Sequence, residues 1–165
     1  MINYTGPKKY LKIANNVFDG VIRSLKQIDK IEVDLSVVDE NTIQELNRKS
    51  RKIDKVTDVL SFPFLDDIFN KKLTKKDYAI DINPETGNIM LGEIIICEKQ
   101  MKRQAREYKN KVQREFAYLF CHGMLHLFGY DHMKEKDKKI MREKEEEILT
   151  SLGYTRWVLK PDSLQ

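Results

Sequence analysis

Cysteine and histidine are scarce: 165 residues hold two cysteines, Cys97 and Cys121, and three histidines. Two cysteines cannot build a disulfide framework, so nothing in the chain demands an oxidising compartment. The opening residues, Met1-Ile2-Asn3-Tyr4-Thr5-Gly6-Pro7-Lys8-Lys9, lack the apolar stretch of a signal peptide. No apolar run approaches the roughly 20 residues that span a bilayer. Internal repeats, linkers and low-complexity tracts are missing too, and the length suits one compact domain over residues 1–165. With 41% apolar residues a core is within reach despite 34% charge, which argues against disorder. The expectation is a soluble, cytoplasmic, single-domain protein with no membrane partner.

What charge there is lies unevenly. Thirty Lys and Arg stand against 26 Asp and Glu, a formal balance of +4. Residues 48–55 carry five bases and one acid, and residues 98–115 seven bases and three acids. Each stretch therefore sums to +4, leaving the rest of the chain at −4. Two basic stretches on an acidic background suit an anionic partner if folding joins them, although on charge alone two solvated faces are the better reading.

Hydrophobic spacing predicts a helix over 7–28, with Pro7 in its tolerated first-turn place. A half-buried strand follows at Ile31–Val38, then a short helix over 40–51 with Ile43 and Leu46 inward. Thr57–Phe64 reads as a second strand that Pro63 puts at an edge. Residues 65–87 read as a polar surface loop or long hairpin arm closing at the turn Asn83-Pro84-Glu85-Thr86-Gly87. Ile89–Cys97 is apolar on both faces, as a central strand would be. Helices are expected over 98–109, 111–128 and about 134–152, the last stopped by Gly153. The sum is an α+β class fold, a small mixed β-sheet with helices packed on it.

All three histidines fall within eleven residues, from His122 through His126 to His132. His122 and His126 stand at i and i+4 on a helix, so both imidazoles project from one face a turn apart. Gly129 then breaks the helix and lets the chain reverse, which can carry His132 back to the same point. A lone histidine is usually structural, but three at this spacing favour a metal ion. Three protein ligands leave a fourth tetrahedral position open, the pattern of a catalytic zinc site rather than a structural one. Nitrogen-only donors suit zinc best, with nickel or copper as alternatives. A wheel puts Val112, Phe116, Leu119, Phe120 and Leu127 in the core and sets the two helical histidines, with Glu115, on the flank of a groove. The spacing H-x3-H-x2-G-x2-H is that of the metzincin peptidases, yet position 123 is glycine where their general base is glutamate. Peptide hydrolysis by that route loses its base. Cys121 lies about 100° round the helix from His122 and reads as packing. The last helix, with six acids and six bases over 134–147, reads as a solvated, ion-paired face with Met141 and Ile148 inward.

These residues resemble the bacterial YbeY-type endoribonucleases. Their H-G-x-L-H-L-x-G-Y-D-H signature is met from His122 to His132. An arginine followed by T-[ND]-V-L-S-F-P appears as Arg51 and then Thr57 to Pro63, and L-G-[DE]-I as Leu91 to Ile94. Order and spacing agree over roughly residues 30–155, with mild departures at Cys121 and Glu93. The resemblance implies one zinc ion per chain on His122, His126 and His132. It also implies cleavage of single-stranded RNA during maturation of the small-subunit rRNA 3′ end and in ribosome quality control. It makes Arg51 a catalytic arginine and His122 both ligand and catalytic. It further suggests the ribosomal small subunit, small-subunit ribosomal proteins and an assembly GTPase as partners. From the residues alone, Arg51 reads rather as a surface arginine in a basic turn, and the resemblance reverses that. Ser61 and Phe62 are candidate substrate contacts, although a strand phenylalanine is more often core. Asp131 either orients a histidine or caps a turn. Two other functions stay open: a zinc-dependent hydrolase of a peptide or small amide, and a ribosome-assembly factor whose zinc is mainly structural.

Overall fold

Strands β1 (Ile2–Thr5), β2 (Ile31–Val38), β3 (Val59–Pro63) and β4 (Ile89–Cys97) form one mixed sheet in the order β1-β2-β4-β3. β1 and β2 pair in parallel, as do β2 and β4, whereas β3 runs antiparallel to β4. The structure is a computed structural model that describes residues 1–155. Five helices complete it: α1 (Leu11–Ser24), α2 (Glu40–Arg51), α3 (Glu98–Glu107), α4 (Val112–Leu127) and α5 (Glu135–Ser151). The fold is α+β, as the hydrophobic spacing indicates.

β4 is central because it is apolar on both faces. Ile94 and Ile96 enter the larger core with Val17 of α1, Phe116 and Phe120 of α4, and Ile148 of α5. Ile95 and Cys97 point the other way and pack under α2 against Ile43 and Leu60. β3 stands at the edge and ends at Pro63, where a missing N–H costs no ladder bond. Gly92 makes the close approach of three elements possible. A Cβ there would lie 2.5 Å from the Phe62 carbonyl oxygen and 2.8 Å from Leu127 Cδ2. Without that side chain, α4 and β3 settle side by side on β4.

Three expectations need correction. β1 has no counterpart in the hydrophobic pattern, because four residues that alternate half-buried and exposed carry too little periodicity; the pairing with β2 makes it a strand. The first helix is shorter than 7–28: a 3-10 turn at Lys8–Tyr10 precedes it, and Lys26 leaves helical geometry at φ 53°. The 65–87 connection does join an antiparallel pair, but it is not only surface. Leu65, Ile68 and Leu73 are buried in the main core and tie it down.

Glu32 shows how the strand edge is held. Its buried carboxylate accepts hydrogen bonds from Asn3 Nδ2 and Asn83 Nδ2, both at 2.8 Å, and from the Thr86 hydroxyl. Burial alone would raise this carboxyl, but the bonds from Thr86, Asn83, Asn3 and Asn88 outweigh it and hold the group below its ordinary value. A depressed folded value stabilises the protein above the unfolded pKa of about 4.3, and that contribution is lost as the pH falls through the folded value. Glu32→Gln, which turns an amide donor toward other donors, is expected to cost about 1–2 kcal/mol at pH 7. In urea melts the gap to wild type should narrow below about pH 4; a gap that ignores pH would refute the account.

Candidate metal centre

α4 ends in a glycine-based cap. The Tyr130 N–H bonds to the Leu125 carbonyl and the Gly129 N–H to the His126 carbonyl, both at 3.0 Å, the paired bonds of a Schellman motif. Gly129 takes φ +92°, and a Cβ there would sit 2.9 Å from the Phe69 backbone nitrogen, so glycine is required twice over. The reversal returns His132 to the helix face, 4.7 Å from His126 between ring centroids and 5.5 Å from His122. Asp131 holds this turn: its Oδ1 accepts from the backbone N–H of His132 at 2.6 Å and of Met133 at 3.0 Å. Of its two sequence readings, turn capping is the one these bonds support.

One ring nitrogen from each histidine lies within 4.8 Å of the other two. The outer nitrogens are tied back. His122 Nδ1 is 2.7 Å from Glu145 Oε1, and His126 Nδ1 is 3.0 Å from the Tyr130 carbonyl oxygen. A carboxylate and a carbonyl both accept, so each Nδ1 carries the proton and each Nε2 presents a lone pair. Those two Nε2 atoms are 3.2 Å apart. Two bare lone pairs at that distance repel unless a cation lies between them, and a tetrahedral ion at about 2.0–2.1 Å from each would set them about 3.3 Å apart. The donor set fits a metal ion such as zinc. Burial, with His122 and then His132 beside it, pushes His126 down to about 4, so its imidazole is neutral and able to ligate near pH 7.

The histidines form one wall of a groove of about 660 Å³. The end of α2, the 53–58 segment and β3 line the same groove, with Arg51, Lys55, Thr57 and Ser61 among the lining residues. Arg51 reaches it because α2 is started by Asp39, which accepts from Thr42 N–H, and is stopped by Lys52 in the left-handed conformation. Arg51 Nη2 donates to the Ser61 carbonyl at 3.2 Å, which occupies one of five guanidinium donors. Buried Asn47 donates to the Lys55 carbonyl at 3.0 Å and fixes the segment between them. Ser61 lines the groove, whereas Phe62 packs on the α2 side.

The structure thus brings Arg51, His122, His126 and His132 to one groove. It does not bring the second basic stretch there. Lys99 and Arg103 pair with Glu40 at the other end of α2, and Lys102 pairs with Glu98. Glu115 shares the helical face of the histidines but lies two turns before them, fully buried and within reach of Asn110 Nδ2 at 3.4 Å, so it does not line the groove where the helical wheel placed it. Cys121 is in the core; burial, with Glu145 nearby, pushes its thiol well up and keeps it from competing as a ligand.

Glu145 is the residue that sequence reading missed. It was grouped with the solvated charges of the last helix, yet its side chain is 5% exposed and meets a metal-site histidine. A signal was present: Met141, Glu145, Ile148 and Leu149 share one helical stripe, and all are buried. A carboxylate on an apolar stripe requires a partner.

Comparison with known proteins follows the same lines. A family model described as endoribonuclease YbeY matches residues 3–153. Curated proteins named endoribonuclease YbeY are similar over most of the chain. One from Agathobacter rectalis is 41% identical over 154 residues, covering 89% of this chain and 90% of that protein. One from Fusobacterium nucleatum is 40% identical over 148 residues, covering 86% and 83%. A solution structure of a Thermotoga maritima protein superposes with a TM-score of 0.58 at 27% identity, covering 92% of this chain and 91% of that one.

Proposed function

Because the chain belongs to the endoribonuclease YbeY family, we propose that it is a zinc-dependent endoribonuclease, one domain over residues 1–165, that cuts single-stranded RNA in the groove between α2 and the histidine turn. The observation that carries this is that an arginine and three converging imidazoles line one groove. His122, His126 and His132 hold the zinc ion. When bound, the ion supplies Lewis acidity toward a phosphoryl oxygen.

The chain's own residues supply the rest. Arg51 grips the scissile phosphate with the donors left free by its bond to Ser61. A guanidinium cannot lose its charge at working pH, and it stabilises the negative charge that builds on the phosphoryl oxygens during displacement. Lys55 lines the same groove and suits a neighbouring phosphate of the strand. His122 and His126 keep their protons on Nδ1, so neither gives one up to the reacting centre from Nε2. Peptide hydrolysis is disfavoured by position 123, where a side chain would meet Ile94 and Ser61 rather than open space.

In the cell, the proposed substrate is small-subunit rRNA near its 3′ end, processed in the cytoplasm during ribosome maturation and quality control. Partners on that view are the ribosomal small subunit, its proteins and an assembly GTPase. No helix among the described residues is long and apolar enough to cross a membrane.

The test is cleavage of a labelled single-stranded RNA by wild type and Arg51→Ala, with zinc content measured on both. Arg51→Ala is expected to cleave about a hundredfold more slowly at unchanged zinc content. Equal rates would remove Arg51 from the chemistry.

A further inference from the structure

The two fixed imidazoles of the metal centre are not held alike. His126 is oriented by a neutral backbone carbonyl, that of Tyr130. His122 is oriented by a carboxylate from a different helix, 23 residues further along the chain. That carboxylate stands on a stripe whose other members, Met141, Ile148 and Leu149, are apolar, so packing alone would be served better by another hydrocarbon. An ionised carboxylate removed from water is tolerated only beside a donor and positive charge. The His122 N–H supplies the donor, and a divalent ion on the far nitrogen of the same ring supplies the charge. The His122 ring is held on its face as well. Tyr118 tilts against it with centroids 5.8 Å apart, and the Arg114 guanidinium lies over Tyr118 at 5.7 Å.

On the strength of the three-histidine site, we infer that Glu145 is a positioning residue for the metal: its carboxylate accepts the hydrogen bond of His122 Nδ1–H, fixing the tautomer and ring angle that aim the Nε2 lone pair at the shared point. The carboxylate also makes that nitrogen a stronger donor than the one His126 offers, because partial negative charge is passed through the ring. Three neutral imidazoles leave the full charge of a divalent ion in the wall of the groove, and Glu145 offsets half of it from behind. α5 therefore does more than pack. It carries the group that prepares α4 for the ion.

The test uses the full chain stripped of metal and titrated with zinc alone against a chromophoric chelator. Wild type, Glu145→Gln, Glu145→Leu and His126→Ala are compared. Glutamine is isosteric with glutamate but can turn its amide to donate, which permits the opposite tautomer of His122. Both Glu145 variants are expected to bind zinc about 10- to 100-fold more weakly than wild type. In the metal-free proteins, 15N spectra should show His122 protonated on Nδ1 in wild type and as a tautomer mixture in Glu145→Gln. A merely structural role would lower the melting temperature and leave affinity and tautomer unchanged; that result overturns the inference. Zinc affinity of Glu145→Gln within twofold of wild type, with the same tautomer, overturns it too. Should Glu145→Leu fail to fold, Glu145→Gln alone decides. If wild type itself binds no zinc, or His126→Ala binds it as tightly, the three-histidine site falls first and this role with it.

Discussion

His126→Ala is expected to bring zinc content from one equivalent to less than about a tenth, and RNA cleavage down by about a thousandfold, the several kcal/mol that a bound ion contributes to phosphoryl chemistry. Of the three proposed ligands it is the most informative to remove. It is close to both others, with its Nε2 3.2 Å from that of His122 and its ring 4.7 Å from that of His132. Burial keeps it neutral, so it ligates without first losing a proton at pH 7. The fold should survive, because the cap that ends α4 is made by backbone bonds of Leu125, His126, Gly129 and Tyr130 and needs no imidazole. Metal analysis and RNA cleavage on the same preparation separate the outcomes. Zinc retained near one equivalent would dismantle the three-histidine site. Zinc lost with cleavage intact would make the ion structural and leave the chemistry to Arg51 and its neighbours.

Gly123→Glu should be the most damaging single change outside the ligands, although it restores the glutamate of the zinc peptidases. A Cβ at this position would lie 3.1 Å from Ile94 Cδ1 and Cγ2 and 3.1 Å from Ser61 Oγ. Those contacts leave no room for four further heavy atoms, two of them charged. The helix would have to lift from β3 and β4, and the displaced Ser61 would take with it the carbonyl that holds Arg51 at 3.2 Å. Overpacking plus a buried, unpaired charge amounts to about 4 kcal/mol, or a fall in melting temperature of about 8–16 °C for a chain of this size. No peptide hydrolysis should appear. A variant that melts near wild type and cleaves peptide would show that the groove differs from a peptidase cleft by one side chain only. Gly123→Ala, whose methyl needs its neighbours to give by a few tenths of an ångström, should fall between the two.

What the sequence made legible was whatever repeats or clusters. β4 declared itself through an unbroken apolar run, and the metal centre through three histidines spaced for one helix turn and one reversal. Arg51 entered through its place in a family motif; its meeting with the histidines needs α2, β3 and α4 all in position, and local pattern says nothing of that. Glu145 was hidden for a different reason. Among six acids and six bases on one helix, composition makes every charge look solvated, and only the buried stripe through Met141 and Ile148 singles it out. Glu115 shows the reverse: on a helix buried nearly all round, a charged residue two turns from the histidines shares their face and is still covered by the core rather than open to the groove. β1 and the anchors Leu65, Ile68 and Leu73 depend on distant partners, and so lacked a local signature.

The parallel pairings of the sheet also impose an order in time. Ile2 pairs with Val33 and Ile31 with Ile89, so the strands to be joined are 31 and 58 positions apart, and such closures are slow compared with helix formation. During synthesis the gap is wider still. Arg51 is made 71 residues before His122, and His122 23 residues before Glu145. At about 5–20 residues per second, several seconds separate Arg51 from His122. A nascent chain thus carries Arg51, the arginine proposed to grip phosphate, well ahead of the three histidines proposed to hold the ion. On the proposed function, the groove is complete only after Glu145 has been made and α5 has folded onto α4.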